Sequence, residues 1–188
     1  MQKGFAASRM CDIAKTAHIN QALLHYYFRT KDKLFAMIFD QESKKFQSNI
    51  ISILTSDLSF FDKLRRMVEQ DIHKMRSAPY LPMFILNEMH SNPERMQCAG
   101  PSESHAKVFQ VFRELVEAEQ SVGRILPVCP RQLFLSISGL TMFPFLAQPM
   151  YKVALENEHK SFDQLIEERI EHVSNMLIRS LQVEPASF

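Results

Sequence analysis

Five side chains with complementary hydrogen-bonding and apolar chemistry lie close together near the N terminus. The Gln21 amide could read the edge of a base, and Leu23 could touch a thymine methyl group. His25, Tyr27 and Lys31 could reach phosphate oxygens, which position a protein on a duplex without reading its sequence. Together these residue types predict a surface that binds nucleic acid.

These side chains need a short helix that also turns one face inward. Ser8 can cap a helix running to about Ala17, residues 18–20 form a turn, and Asn20 can cap a second helix, Gln21 to Phe28. The residues predicted to face inward are Ile13, Ala14, Ala17, Ile19, Leu24 and Phe28. This pattern predicts a helix-turn-helix whose second helix enters the major groove. An ordinary helical hairpin with a tyrosine-rich edge would show the same pattern.

The charge is distributed unevenly along the chain. Residues 1–45, which we call the head, carry eight Lys and Arg against four Asp and Glu, a balance of +4. Since the chain of 188 residues has a net charge of +1, residues 46–188, which we call the body, carry −3. A basic head on a slightly acidic body is consistent with binding to double-stranded DNA.

The composition predicts an all-helical fold, because only 4 Gly occur and long stretches show helical periodicity. No stretch resembles a membrane span or a secretory signal, so we expect a cytoplasmic protein with no membrane partner. Cys11, Cys98 and Cys129 are expected to be reduced thiols. No phosphate loop, metal motif or nucleophile elbow occurs, so no enzyme activity, metal or cofactor is predicted.

The third helix is predicted to begin after Thr30 and to continue to about Leu54, joining head to body. Residues 131–147 are apolar on every side, which predicts a helix buried between the body core and a partner subunit, with a kink or early end at Pro144. A last helix over 162–181 could build a homodimer interface with it. Its predicted interface residues are Phe162, Leu165, Ile166, Ile170, Val173, Leu177 and Leu181. Packing of this stripe within one chain is the alternative.

The body is rich in residues that could line a binding cavity for an unknown small-molecule effector. The chain has 11 Met and 15 Phe, and Met side chains repack easily around a ligand. The candidate ligand-binding residues are Met67, Met75, Phe84, Met89, Phe109, Phe112, Ile137 and Phe143.

The N-terminal segment resembles the DNA-binding signature of TetR-family transcriptional regulators. The match covers about 32 residues and is carried by Gly4, Phe5, Ala7, Ser8, Ile13, Ala14, Ala17, Ile19, Asn20, Leu24, Tyr27, Phe28, Lys31, Leu34 and Phe35. The resemblance implies an all-helical homodimer with a DNA-binding N-terminal domain and a C-terminal domain for ligand binding and dimerisation. By position it implies DNA contacts at Ser8, Arg9, Gln21, Ala22, Leu23, His25, Tyr27 and Lys31.

The sequence departs from the family pattern at three places. His18 replaces the usual turn glycine, so we expect a left-handed conformation there, and His25 replaces an aromatic residue. The family has one more helix before the position of Gly4, where only three residues precede it here. From the sequence alone we therefore expect that the first family helix is missing and that the head is less stable than the body.

The leading interpretation is a ligand-responsive, sequence-specific DNA-binding regulator, most often a repressor in this family, released from its operator by an apolar or amphipathic effector. The alternative is an all-helical dimeric interaction protein that does not bind DNA.

Overall fold

The computed structural model describes residues 9–79, 82–83, 86, 101–154 and 160–183. The helices whose bounds it gives are α1 (Met10–Thr16), α2 (Gln21–Phe28), α3 (Lys31–Leu54), α4 (Phe60–Ser77), α5 (Pro101–Ser121), α6 (Pro130–Leu146), α7 (Gln148–Ala154) and α8 (Phe162–Leu181). The described residues form no β-strand, and the all-helical prediction is confirmed.

Side-chain caps fix where several of these helices begin. Asn20 accepts a hydrogen bond from the Ala22 amide at 2.8 Å, and Thr30 accepts one from the Lys33 amide at 3.3 Å. Ser59 caps α4 in the same way, and Ser161 opens α8 with a capping box. Each cap satisfies an amide that has no partner in the first turn of its helix. The predicted Ser8 cap lies outside the described residues, and Arg9 holds the N-cap position of α1 without a side-chain hydrogen bond.

The body is built around one large apolar core to which five of the described helices contribute. Leu54 of α3, Ile72 of α4, Phe112 of α5, Ile137 of α6 and Val173 of α8 are all buried in it. Burial of each such side chain contributes about 1.5–3 kcal/mol. This core therefore sets how α4, α6 and α8 are arranged.

The head has a second, smaller cluster formed by Ala14, Leu24 and Leu34, with Phe28 packed against it. The prediction that Ile19 and Ala17 also face inward is wrong, since both are exposed. Ile19 follows the left-handed residue His18, which turns the chain away from the cluster. Because α3 supplies Leu34 to this cluster and Leu54 to the large core, the predicted domain boundary at 45/46 falls inside a continuous helix.

Pro144 lies inside α6, which continues to Leu146 before the chain bends by 68° into α7. Proline has no N–H, so the Leu140 carbonyl one turn earlier loses its helical donor. Arg169 of α8 replaces that donor, and its Nε donates to the Leu140 carbonyl oxygen at 2.8 Å. The helix can therefore pass Pro144 with its backbone acceptor satisfied.

Within the described part of the chain, no single helix is long and apolar enough to cross a membrane. The bent pair α6 and α7 passes that test by length and composition only when the two are taken together.

We expect Arg169→Met to lower the free energy of unfolding by about 1–3 kcal/mol, because it leaves the Leu140 carbonyl without a donor. Urea denaturation of the purified protein measures this loss. In a Pro144→Ala background the residue 144 amide can bond to Leu140, so the same substitution should be less damaging there. An equal loss in both backgrounds would show that Arg169 does not act through this carbonyl.

Candidate functional site

A tight turn sets the angle between α1 and α2. The amides of Ala17, His18 and Ile19 donate to the carbonyls of Ile13, Lys15 and Ala14 at 2.9, 3.3 and 3.0 Å. His18 has a φ of 55°, so the predicted left-handed conformation is confirmed. The turn occupies residues 17–20, as a helix-turn-helix requires.

A second left-handed residue stands at the other end of α2. Arg29 has a φ of 51°, and its amide donates to the His25 carbonyl at 2.9 Å. Thr30 then caps α3, so the chain changes direction within two residues. A side chain in this conformation costs about 1 kcal/mol or more. The packing of α2 on α1 and α3 must maintain both residues in this state.

The inner and outer faces of α2 have different chemistry. Leu24 is 3% exposed in the small core and Phe28 is half-buried against it. Of the predicted contacts, α2 brings Gln21, Ala22, Leu23, His25 and Tyr27 together as exposed side chains. Lys31 is half-buried at the first residue of α3, Arg9 is exposed at the start of α1, and Ser8 lies outside the described residues.

Tyr26 shares this outer face but was not among the predicted contacts. It is 78% exposed, and its ring packs edge-on against that of Tyr27 with centroids 5.5 Å apart. It is one turn from Ala22 and three residues from Leu23, so all three lie on the surface opposite the small core. The signal in the sequence was an aromatic residue at a position that helical periodicity turns outward.

The predicted ligand-binding residues fall into three groups. Met67, Phe112 and Ile137 are buried in the large core, with Met75 half-buried against it and Phe109 half-buried in ring contact with Phe134. Phe143 is 51% exposed, so its expected place in the cavity is corrected: it lies on the outer side of α6. Phe84 and Met89 lie outside the described residues.

Asp71 is a polar group within the body that the sequence reasoning missed. It stands on α4 one turn from both Met67 and Met75, and its Oδ2 lies 3.2 Å from the Thr141 hydroxyl of α6. Burial raises the pKa of Asp71 to about 7, and the hydrogen bond from Thr141 opposes that shift. The sequence signal was an acidic residue within the apolar stripe of α4.

An ion pair joins α4 to α3. Lys74 Nζ donates to Glu42 Oε2, and this hydrogen bond, together with the lysine charge, holds the pKa of Glu42 below its usual value. Glu42 belongs to the part of α3 that leads toward the head. Thus α4 contacts α6 through Asp71 and α3 through Lys74.

The predicted dimer residues of α8 divide between core and edge. Ile166, Val173, Leu177 and Leu181 are buried in the core of their own chain, so the structure corrects their assignment to a partner interface. Phe162, Leu165 and Ile170 are half-buried against the same core. The stripe is therefore occupied in a single chain, as the alternative reading held.

Helix α6, expected to be buried between the body core and a partner subunit, leaves an apolar strip exposed in the single chain. Leu135 is 63% exposed, and Gly139 and Phe143 follow it at intervals of four. These three residues form what we call the α6 strip.

Comparison with known proteins relates the N-terminal segment to one family. The sequence model of bacterial regulatory proteins of the tetR family matches residues 1–38. A curated relative from Bacillus subtilis (strain 168), named "Probable HTH-type transcriptional regulator YttP", is 24% identical over 154 residues, covering 80% of this chain and 72% of the relative. The chain is therefore similar to TetR-family transcriptional regulators, most directly over residues 1–38.

Solved structures of TetR-family proteins share the fold. A transcriptional regulator of the TetR/AcrR family from Thermobifida fusca is similar at a TM-score of 0.68 and 15% identity, covering 93% of this chain and 89% of that one. The regulator FadR from Bacillus subtilis, solved with stearoyl-CoA, is similar at a TM-score of 0.67 and 17% identity, covering 94% and 90%. At these identities the likeness shows the fold alone.

We expect Asp71→Asn to change how stability depends on pH. The pKa of Asp71 is about 7 when folded against a usual value of 3.8, so the folded state holds a proton that the unfolded state has lost between these values. The stabilising contribution of Asp71 is therefore complete below about pH 4 and falls by about 1.4 kcal/mol per pH unit until about pH 7. The free energy of unfolding of the variant should not show this decline. Urea denaturation from pH 5 to pH 8 measures that free energy for both proteins.

Asp57→Asn, at an exposed position in the turn between α3 and α4, is the matched control and should follow the wild-type curve. If the free energy of unfolding depends on pH in the same way for wild type and Asp71→Asn, Asp71 is ionised throughout this range.

Proposed function

We propose that the chain is a ligand-responsive, sequence-specific DNA-binding regulator that acts as a repressor and leaves its operator when a small apolar or amphipathic effector binds the body. One observation carries the DNA-binding part of the proposal. The inner face of α2 is packed on the small core, while its outer face exposes base-reading and phosphate-binding groups together. Such a helix fits a major groove.

The exposed residues divide by role. Gln21 is assigned to a base edge and Leu23 to a thymine methyl group, whereas His25, Tyr27 and Lys31 are assigned to phosphates. Ser8, Arg9 and Ala22 are assigned by their positions in the family signature, and Tyr26 is added because it shares the face of Ala22 and Leu23.

Support for an effector comes from the body. FadR from Bacillus subtilis, which shares the fold, was solved with stearoyl-CoA, an amphipathic molecule. Apolar side chains of α4, α5 and α6 meet in the large core, and Met67 and Met75 can repack around a guest. A change in the position of α4 would reach α3 through the pair of Lys74 and Glu42.

The proposal includes a homodimer, because two recognition helices read two half-sites. We assign the α6 strip to the interface in place of the buried residues of α8. Leu135 and Phe143 present apolar area, and Gly139 between them permits close approach of a partner helix. A two-fold dimer would pair this strip with its own copy.

We expect Gln21→Ala and Lys31→Ala to weaken DNA binding in different ways. A duplex selected from random sequences by the wild-type protein serves as the operator, and fluorescence anisotropy measures the affinity. Gln21→Ala should relax the preference at one base pair, which is worth about 1–3 kcal/mol. Lys31→Ala should weaken all duplexes alike and reduce the slope of log K against log salt by about one.

Lys107→Ala, an exposed lysine of α5, controls for lost charge and should bind as wild type does. Equal loss of specificity in the Gln21 and Lys31 variants would refute these roles. Failure of the wild-type protein to select any sequence would instead favour the all-helical dimeric interaction protein.

We expect Leu135→Glu to yield a folded monomer, because the side chain is exposed in one chain but would be buried in the dimer. Sedimentation equilibrium measures the mass and thermal unfolding measures the fold. Val173→Glu should unfold the chain instead, since it places a charge in the large core. Leu58 is an exposed leucine outside α6 and α8, so the control variant Leu58→Glu should remain dimeric. If Leu135→Glu is also a dimer, the α6 strip is not the dimer interface.

A further inference from the structure

The polar contact between α4 and α6 has more acceptors than hydrogens. The Thr141 hydroxyl has one hydrogen, yet the Asp71 carboxyl oxygen, the Ile137 carbonyl and the Ser138 carbonyl lie 3.2, 3.0 and 3.3 Å from its oxygen. One donor cannot satisfy all three. An ionised Asp71 would compete with the backbone for that hydrogen.

Protonation of Asp71 supplies the hydrogen-bond donor that this contact lacks. The carboxyl group then donates to the Thr141 oxygen, and the Thr141 hydroxyl donates to the Ile137 carbonyl. The elevated pKa of Asp71 agrees with this arrangement. A guest that brings its own donor, and above all a positive charge, would stabilise the ionised carboxylate more strongly than Thr141 can.

The surroundings of Asp71 suit an apolar guest. Met67 and Met75 flank it on α4, and both are unbranched side chains that adapt to the shape of a neighbour. Phe134 and Ile137 lie on the same face of α6 as Thr141, with Phe134 about 10 Å along the helix axis from it. Phe134 packs edge-on with Phe109 and Phe112, at centroid distances of 5.6 and 5.4 Å.

Within the described part of the chain, no neighbouring charge pairs with Asp71. Among the described helices, those packed most closely against α4 are α3, α6 and α8, and α6 has no ionisable side chain after Arg131. On α3, Glu42 is paired with Lys74; on α8, Glu167 is paired with Arg76 and Arg169 is bonded to the Leu140 carbonyl. The other ionisable groups on this side are Arg65, Glu69 and His73 of α4 and Glu168 and Glu171 of α8. Arg65 donates to the Asn175 side chain at 3.1 Å. The pKa of Asp71 responds to burial and to Thr141.

We propose that Asp71 is the anchor for the head group of the effector, and that this effector is a hydrophobic amine whose cation pairs with the carboxylate while its apolar body follows α6 toward Phe134. The inference rests on the proposed function in that it takes the body as the effector-binding part. It adds the chemical class of the effector and the residue that selects it.

Binding of such an amine has a defined proton balance. The ammonium group enters with its proton, Asp71 loses its own proton to solvent, and Thr141 keeps its bond to the Ile137 carbonyl. The ion pair forms on α4, one turn from Lys74 and its bond to α3. Occupancy of the site would therefore act on the helix that continues into the head.

Three probes with one chain length and different head groups test the proposal: decylamine, decanol and decanoic acid, each below its micelle concentration. Isothermal titration of the full chain without DNA measures their affinities. We expect decylamine to bind most tightly to the wild-type protein and to lose roughly tenfold or more in affinity in Asp71→Asn. Decanol should bind both proteins alike, and the exposed-site control Asp57→Asn should match wild type.

The pH dependence provides a second measurement that does not rely on a variant. Because only the ionised carboxylate pairs with the amine, the decylamine affinity of the wild-type protein should rise about tenfold from pH 6 to pH 8. In Asp71→Asn it should be flat. Equal binding of the three probes, tighter binding of decanoic acid, no binding of decylamine, or a wild-type pH dependence in Asp71→Asn would each overturn the proposal.

The proposed function is tested separately, by measuring release of the selected duplex with fluorescence anisotropy. Tight decanoic acid binding with DNA release would overturn the amine anchor and leave the ligand-responsive regulator intact. Asp71-dependent decylamine binding without DNA release would support the anchor and count against effector control of DNA binding.

Discussion

The rest of the structure depends on α3 being one unbroken helix with an apolar partner at each end. Leu34 packs into the small cluster beneath α2, and Leu54 packs into the large core. A helix that keeps its backbone hydrogen bonds between these two points bends little, so the direction of α2 is tied to the packing of the body. The ion pair of Glu42 and Lys74 adds a contact from α4 near the middle of α3. Any ligand that changes where α4 lies therefore acts on the element that orients α2.

Polar contacts from two neighbouring helices meet at adjacent residues of α6. Arg169 of α8 serves the Leu140 carbonyl that Pro144 leaves without a donor, and Asp71 of α4 meets the next residue, Thr141. Both contacts lie in the part of α6 after Gln132, which is apolar apart from small hydroxyl groups, and unsatisfied polar groups are expensive there. They give α6 a defined rotation and register, which the nonspecific apolar surface alone would leave less well determined. The same rotation turns Leu135 and Phe143 outward, so the exposed strip follows from the buried contacts.

The sequence predicted most helix ends because the signals for them are local. Asn20 and Thr30 cap the helices that begin beside them, and His18 takes the left-handed turn expected of a replaced glycine. Burial partners were harder to predict, because periodicity identifies an apolar face but not the surface that covers it. Val173 and Leu177 thus packed within their own chain, and Ile19 turned out to be exposed. The buried contact of Asp71 was not predicted because its hydrogen-bond partner, Thr141, is 70 residues away along the chain.

The two left-handed residues that bracket α2 carry an implication for sequence divergence. Glycine at position 18 or 29 would relieve the strain of a Cβ in that conformation, yet it would also enlarge the set of conformations open to the unfolded chain. These effects oppose each other and are similar in size, near 1 kcal/mol each. Exchange between glycine and histidine at position 18 is therefore close to neutral for stability, provided that φ stays positive. The residue at this turn can change while α2 keeps the same angle.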